Sequence, residues 1–367
     1  MSETESGDLS QGWDAIDHAL QAVYGDQKPE HFGAIIKYRF GGPDPLDGIS
    51  IYRSDAAGRP HWHYVTYGLS DLYGERDNND PPSDDKVSGY GFELTFRLAV
   101  QNGETEPPTW ALNFLQNLAR YVFETGNTFA AGHWMSANGP IEAGSDTLLT
   151  EMGLVEDPQL RTIQTPYGKL QFLQVVGLTA DELYAIRRWN VRGALAAMQA
   201  HMPLWITDTT RPSLHTQPDV HAAISEGAAK DGSSTGSLYV DHLHIEQRKR
   251  LLRSTQTIIH MGTLSVRDLK FVLPWRLPHG KPFVIFSDTG AGLEFMPAQP
   301  GQSFSMEGQG TQELTLTINE AQMQALLHGL RAREGEYTIP GIDNVIWQVK
   351  TSIITNNQGE VTGKYEA

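Results

Sequence analysis

Hydrophobic residues recur along this chain in short blocks, and their period changes from block to block. From Gly12 onward, Trp13, Ile16, Leu20 and Val23 fall at helical spacing and predict an amphipathic helix. The pattern then turns to strands. Ala34-Ile35-Ile36-Lys37-Tyr38-Arg39-Phe40 is rich in strand formers and closes on Gly41-Gly42-Pro43, which predicts a strand over 34–40. Residues 49–53 and 61–67 predict two more. In 91–100, Phe92, Leu94, Phe96 and Leu98 alternate with Glu93, Thr95 and Arg97, the pattern of a strand with one buried and one solvated face. After Pro107-Pro108, the residues Trp110, Phe114, Leu115, Leu118, Ala119 and Val122 line one stripe of a long helix, capped by Thr109 and ending near Gly126.

Residues 126–168 are rich in Gly, Ser, Asn and Pro and read as loop. A strand is predicted over 170–176. The capping box Thr179-Ala180-Asp181-Glu182 opens a helix that runs to about Trp189, followed by a short helix over 194–201 and a short strand over 204–207. The stretch 211–236, with Pro212, Pro218 and Asp231-Gly232-Ser233-Ser234-Thr235-Gly236, reads as a flexible seam. Beyond it, 243–253 looks helical and basic. Strands are predicted at 256–260, 264–274, 282–286, 312–317 and 345–351, with a helix over 318–333 and Thr317 and Glu320 at capping-box spacing. Strands and helices interleave without a regular β-α-β period. The expected class is therefore α+β: two lobes, each a mixed or antiparallel sheet packed with helices, joined by a short linker. The expected bounds are a disordered tail at 1–10, a first domain over 11–232, a linker at 233–240, a second domain over 241–361 and a tail at 362–367, within a polar end that begins at 356.

Composition supports ordinary cores, with 39% hydrophobic residues and no cysteine in 367. The missing cysteine excludes disulfides, thiolate catalysis and cysteine-based metal centres. The polar start MSETESGDLS is not a signal peptide, and no apolar run approaches the roughly 20 residues of a membrane span, so a cytosolic protein is expected. Charge is uneven: residues 1–240 carry 16 basic and 31 acidic side chains, a net of −15 out of −16. Such a first part repels phosphate backbones and argues against nucleic-acid binding.

Catalytic signals are sparse. His61 and His63 share one face of a strand and could meet one metal, but no third ligand follows at tight spacing. Asp241-His242-Leu243-His244 is a similar pair. The acidic stretch Asp71, Glu75, Asp77, Asp80, Asp84 and Asp85 lacks the oxygen spacing of a calcium loop. Phosphate-loop, dinucleotide, nucleophile-elbow and zinc-protease motifs are absent. No catalytic residue, metal or cofactor is expected.

Several longer strings say more. Ile36-Lys37-Tyr38 leads into Gly41-Gly42-Pro43-Asp44-Pro45-Leu46-Asp47. His61-Trp62-His63-Tyr64 leads into Tyr67-Gly68-Leu69-Ser70-Asp71-Leu72-Tyr73-Gly74. There follow Gly91-Phe92-Glu93-Leu94-Thr95-Phe96-Arg97-Leu98, Leu118-Ala119-Arg120-Tyr121-Val122-Phe123, Glu156-Asp157-Pro158-Gln159 and Trp205-Ile206-Thr207-Asp208. In this order and spacing the chain resembles the suppressor of fused family of Hedgehog signalling over about 30–232. Beyond 240 the likeness rests mainly on Arg276-Leu277-Pro278-His279-Gly280.

The resemblance implies a non-enzymatic, two-lobed protein that holds a partner's extended peptide between its lobes by adding a strand. The partners of animal members are Gli-type transcription factors. Carried over by position, Tyr121, Phe129, His133, Glu156 and Gln159 are expected around that cleft, opposite a strand at 264–274. Tyr121 would supply an apolar face and a hydroxyl, and Glu156 an acceptor. His133 stands where animal members have a carboxylate, so a donor on the partner would be held less well. The seam of about 25 residues replaces the long phosphorylatable insert of animal members. Together with the missing cysteines it points to a bacterial member. Two alternatives go with these expectations: an immunity protein that neutralises a toxin through its acidic surface, and a metal-dependent hydrolase built on His61, His63, Asp241 or His244.

Overall fold

The computed structural model describes residues 10–74, 86–240, 242–249, 255–308, 312–355 and 361–365. The chain divides into two units, Met1–Ile186 with Val191–Ala223, and Arg187–Asn190 with Ile224–Ala367. The expected disordered tail, apart from Ser10, and the acidic stretch from Glu75 to Asp85 lie outside the described residues, as does Asp241.

In the first unit α1 (Gln11–Tyr24) leads into β1 (Glu30–Gly33), β2 (Gly48–Ser54), β3 (His61–Tyr67) and β4 (Val87–Ala99). Then come α2 (Trp110–Thr125), β5 (Trp134–Ser136), β6 (Leu149–Glu156), β7 (Ile163–Thr165), β8 (Gly168–Thr179), α3 (Ala180–Arg188) and α4 (Val191–Met198). The strands make one eight-stranded sheet in the order β1-β2-β3-β4-β8-β6-β5, with β7 also paired to β8. Every pairing is antiparallel except β4 with β8. Hairpins plus a parallel crossover make this α+β, as expected.

Helices cover both faces of this sheet. On one, Phe92, Leu94, Phe96 and Leu98 of β4 pack with Phe114, Leu115, Leu118 and Val122 of α2. Fully burying each such side chain contributes about 1.5–3 kcal/mol, and Leu115→Ala would cost about 2–5 kcal/mol. On the other, Val65, Tyr67, Leu170 and Phe172 pack with Ile16 and Leu20 of α1. A side chain added at Gly153 of β6 would meet Val191 and Leu195 of α4. This double cover corrects the expectation of a solvated face on β4: Glu93, Thr95 and Arg97 are as buried as their apolar neighbours.

Other local expectations also give way. Residues 34–40 are not a strand. The Phe40 and Gly42 N–H groups both donate to Lys37 O, and Tyr38–Phe40 is a 3-10 turn. Gly41 sits at φ 86 and Gly42 leaves no room for a side chain against Ile36 O, so the glycines that were to end a strand fold the segment back instead. Thr109 makes no side-chain cap. The loop expected over 126–168 contains β5, β6 and β7: β5 pairs with β6, β6 also pairs with β8, and β7 forms a hairpin with the start of β8. Residues 203–205 form a turn, with Leu204 and Trp205 at positive φ.

The seam is ordered. α5 (Pro218–Asp231) fills its middle, and Ser233 is fully buried, with its N–H donating to Trp275 O and its hydroxyl to Arg187 O. Within the expected linker, Ser237–Tyr239 is a strand, β9. The second unit continues with β10 (Leu243–Lys249), β11 (Thr255–Gly262), α6 (Thr263–Val272), β12 (Phe283–Phe286), β13 (Gly292–Pro297), β14 (Ser305–Glu307), β15 (Glu313–Ile318), α7 (Glu320–Gly329), β16 (Gly335–Tyr337), β17 (Val345–Lys350), β18 (Ser352–Thr355) and β19 (Val361–Tyr365). It holds sheets in the orders β10-β11-β17-β16 and β14-β15-β13-β12-β9, and the hairpin β18–β19.

Three corrections belong to this unit. Residues 243–249 are a strand, since Leu243 and Ile245 are buried with His244 exposed between them, a period of two that the basic run obscured. Residues 264–274, expected as a strand, are mainly helix: buried Val266, Leu269, Val272 and Leu273 recur every three or four positions despite their β-branched content. The cap of α7 is Asn319 with Gln322, not Thr317 with Glu320. The polar tail contains β19.

Candidate functional site

The five expected site residues lie on two short pieces of the first unit. Tyr121 is half-buried near the end of α2, which stops at Gly126 in the left-handed region. Its ring stacks on Phe129 with centroids 5.7 Å apart and planes at 15°, and its hydroxyl accepts from Asn127 Nδ2 at 3.0 Å. Phe129 also touches Phe92 of β4 at 6.0 Å. His133 is exposed, and its Nδ1 accepts the Ala130 N–H at 3.2 Å. These three form one aromatic corner.

Glu156 and Gln159 lie at and beyond the end of β6. Glu156 is exposed and ion-paired with Arg192 of α4 at 2.6 Å. Gln159 is half-buried, and its Oε1 accepts from Arg97 Nη2 at 2.9 Å. The backbone ties the two pieces together: Gly132 N–H donates to Leu154 O at 2.7 Å, and Leu154 N–H donates to His133 O at 2.9 Å. On the other side of β6, Asp157 N–H donates to Phe172 O of β8 at 2.9 Å. Successive residues of a strand turn their polar groups to opposite sides. Val155 and Asp157 therefore address β8, while Glu156, two residues beyond Leu154, directs its N–H and C=O to the outer side, past the last of those bonds. Pro158 then ends the strand. The result is a short open edge bordered by the aromatic corner.

Under that edge lies a buried polar cluster. Arg97 donates through Nη1 and Nη2 to the two carboxylate oxygens of Asp157 at 2.5 and 3.1 Å, and also to Gln174. Asp157 Oδ1 accepts the N–H groups of Gln159 and Leu160, both at 2.8 Å, which shapes the turn after Glu156. His63 joins from β3, with Nε2 3.3 Å from Asp157 Oδ2 and Nδ1 2.6 Å from the Tyr24 hydroxyl. Burial, reinforced by the Arg97 charge, lowers the His63 imidazole to about 4. Burial by itself would raise the Asp157 carboxyl, but the Arg97 guanidinium and the His63 contact hold it well below the usual range. A second buried carboxylate, Glu93, accepts from Ser70 N–H and Oγ, Gly68 N–H and Thr66 Oγ1.

The His61–His63 pair is thus structural, with His61 Nδ1 on Arg59 O at 2.8 Å and His63 held by Tyr24 and Asp157. Among the described residues no group of three or more His, Asp or Glu could hold a metal ion, and no helix is long and apolar enough to cross a membrane. Sequence reasoning missed Arg97, Asp157 and Arg192 as the supports of this edge. The one available signal was a set of charged residues in the interior of an otherwise apolar strand.

Comparison with known proteins follows the same segment. The family described as Suppressor of fused protein (SUFU) matches residues 42–212. The Suppressor of fused homolog of Homo sapiens is 42% identical over 234 residues, covering 61% of this chain and 48% of its own length. The homolog of Mus musculus gives the same identity and coverage. The chain spans about half the length of the curated relatives it matches. A crystal structure of Drosophila Suppressor of Fused shares the fold, with a TM-score of 0.77 at 23% identity, covering 93% of this chain and 97% of that one. A structure described as the Sufu-Fu complex matches at 34% identity with a TM-score of 0.55, covering 59% of this chain and 98% of that one.

Proposed function

Because this chain belongs to the suppressor of fused family, we propose that it is a protein-binding regulator with no catalytic activity, which takes an extended segment of a partner protein onto the open end of β6. The observation that carries this reading is the outward-directed backbone at Glu156 beside the Tyr121–Phe129 stack. Main-chain hydrogen bonds to such an edge supply affinity, and the flanking aromatic and charged side chains supply selectivity. The relative solved as a complex supports partner binding as a family property. His133 places an exposed imidazole, which carries no negative charge in either protonation state, at this corner and so favours partner groups other than cations. Arg192 would share Glu156 with the ligand.

The test is affinity purification with mass spectrometry from the source cells, comparing the natural chain with Tyr121→Ala/Glu156→Arg. Partners should be lost in the variant while thermal unfolding stays nearly unchanged. Parallel loss of partners and fold would make these residues structural and end the site assignment. A second reading, toxin neutralisation, draws on the net −15 of the first 240 residues, which would steer a basic protein. It calls for a complex that weakens steeply with salt and is indifferent to the edge variant.

A further inference from the structure

In the second unit, the sheet β14-β15-β13-β12-β9 covers its core with one face only. Leu238, Ile285, Leu293, Phe295, Leu314 and Leu316 are buried, and the residues between them along each strand are not. That period of two leaves an open face on which strand register fixes the neighbours. Tyr239 of β9, 61% exposed, and Phe286 of β12, 41% exposed, are register partners, and their rings meet edge-on at 5.8 Å. They therefore share this face. The same row continues through Gly292 of β13 to Glu313 of β15. Gly292 is not among the glycines at positive φ, and a side chain added there would meet nothing within 4 Å. Neither backbone geometry nor packing within the chain asks for glycine at 292, and a strand glycine often marks close approach by another molecule. The row thus has a gap, aromatic on one side and acidic on the other, between Cα positions about 10 Å apart.

Charge sets the occupant. The five strands contain Glu294, Glu307 and Glu313 and no Lys, Arg or His, although residues 241–367 together hold 12 basic and 13 acidic side chains. The acidity therefore belongs to this face and not to the bulk composition around it. Register sets Glu294 and Glu307 on either side of Thr315, in the row next to Glu313. The Thr315 hydroxyl donates to Glu294 at 3.1 Å, a neutral partner, and no ion pair engages any of the three carboxylates among the described residues. A Lys or Arg side chain laid in the gap at Gly292 would rest its stem on the aromatic pair and bring its head to the carboxylates. An acidic segment would meet like charge there.

We propose that the open face of this sheet is a docking surface for a partner-protein segment bearing Lys or Arg beside apolar side chains, with one cation seated in the gap at Gly292. A second copy of this chain is the competing occupant. The probe is a display library of random short peptides, panned against the natural chain and its variants. Peptides whose capture depends on Tyr239 and Phe286 should carry Lys or Arg next to Leu, Ile, Phe or Tyr. Tyr239→Thr/Phe286→Thr, which keeps strand-forming residues, should weaken them about tenfold or more, a change of about 1.4 kcal/mol, with its thermal midpoint unchanged. Gly292→Thr, for which the chain has room, should weaken the same peptides and leave the midpoint where it is. Glu307→Lys/Glu313→Lys should end the selection of basic peptides. Tyr121→Ala/Glu156→Arg should keep them, so this surface and the β6 edge stand or fall separately. No peptides dependent on Tyr239 and Phe286, dependent peptides without an excess of Lys and Arg, or dependent peptides indifferent to Gly292→Thr would overturn the proposal. So would sedimentation showing a dimer of the natural chain that Tyr239→Thr/Phe286→Thr dissolves.

Discussion

β4 and the 34–40 loop invert the usual relation between polarity and position. Glu93 and Arg97 are ionisable and have no solvent exposure, whereas Ile35 and Phe40 are apolar and stand mostly in water. Both segments were expected to be strands. The difference lies in what each backbone meets. β4 has neighbours on both edges and helices over both faces, so even its polar positions are enclosed; Glu93 accepts four hydrogen bonds, and Arg97 donates through Nη1 and Nη2 to Asp157, Gln159 and Gln174 while its Nε has no partner. The loop turns back on Lys37, packs Tyr38 against Phe123 and leaves Ile35 and Phe40 mostly in solvent. Burial here follows the surroundings a residue is given rather than its own polarity. Buried ionisable groups then become supports for a neighbouring edge.

The sharpest way to break the contrast is Arg97→Met, which leaves Asp157 buried without its cation. A loss of about 3–5 kcal/mol in urea unfolding is expected. Adding Asp157→Leu should restore part of it, but not all, because Asp157 also accepts the Gln159 and Leu160 N–H groups. A cost below about 1 kcal/mol for the single variant would mean that the cluster is not dry.

A change in pH acts on the same cluster. The His63 imidazole sits at about 4 in the folded chain, against about 6.5 when unfolded. Between those values the unfolded state holds the proton and the folded state does not, so stability falls as pH drops through that window, by about 3 kcal/mol in all. Asp157, held low when folded, adds a further loss below about pH 4. Thermal unfolding from pH 7 to 4 should show the first loss in the natural chain and a flatter dependence in His63→Gln. Equal slopes in the two would remove His63 from the account.

The smallest effect belongs to the loop. Ile35→Asp should shift unfolding free energy by no more than about 0.5 kcal/mol, as for an ordinary surface position. A larger loss in urea unfolding would show that Ile35 packs against something after all.

Local pattern carried much of the architecture. The stripe on α2, the periods of β2, β3 and β17, and the interleaving of strands with helices all pointed to an α+β chain of more than one unit. These signals are written within a turn or two of backbone, where spacing alone decides which side chains share a face. The strings around Tyr121 and Glu156 also located the segments that form the open edge. What could not be read there was everything that depends on distant partners. Arg97 and Asp157 are 60 positions apart, and no local spacing shows that a guanidinium on β4 shapes the turn after β6. The strand β6 itself hid in a glycine-rich stretch, because its pairing is supplied by β8 and β5. Helix α6 passed for a strand because β-branched residues outweighed its spacing. The sequence by itself determined which short segments could become helix or strand and where charge accumulates. Only the tertiary structure decided which polar residues are enclosed and which apolar ones are left in water, since enclosure is set by chain brought in from far away.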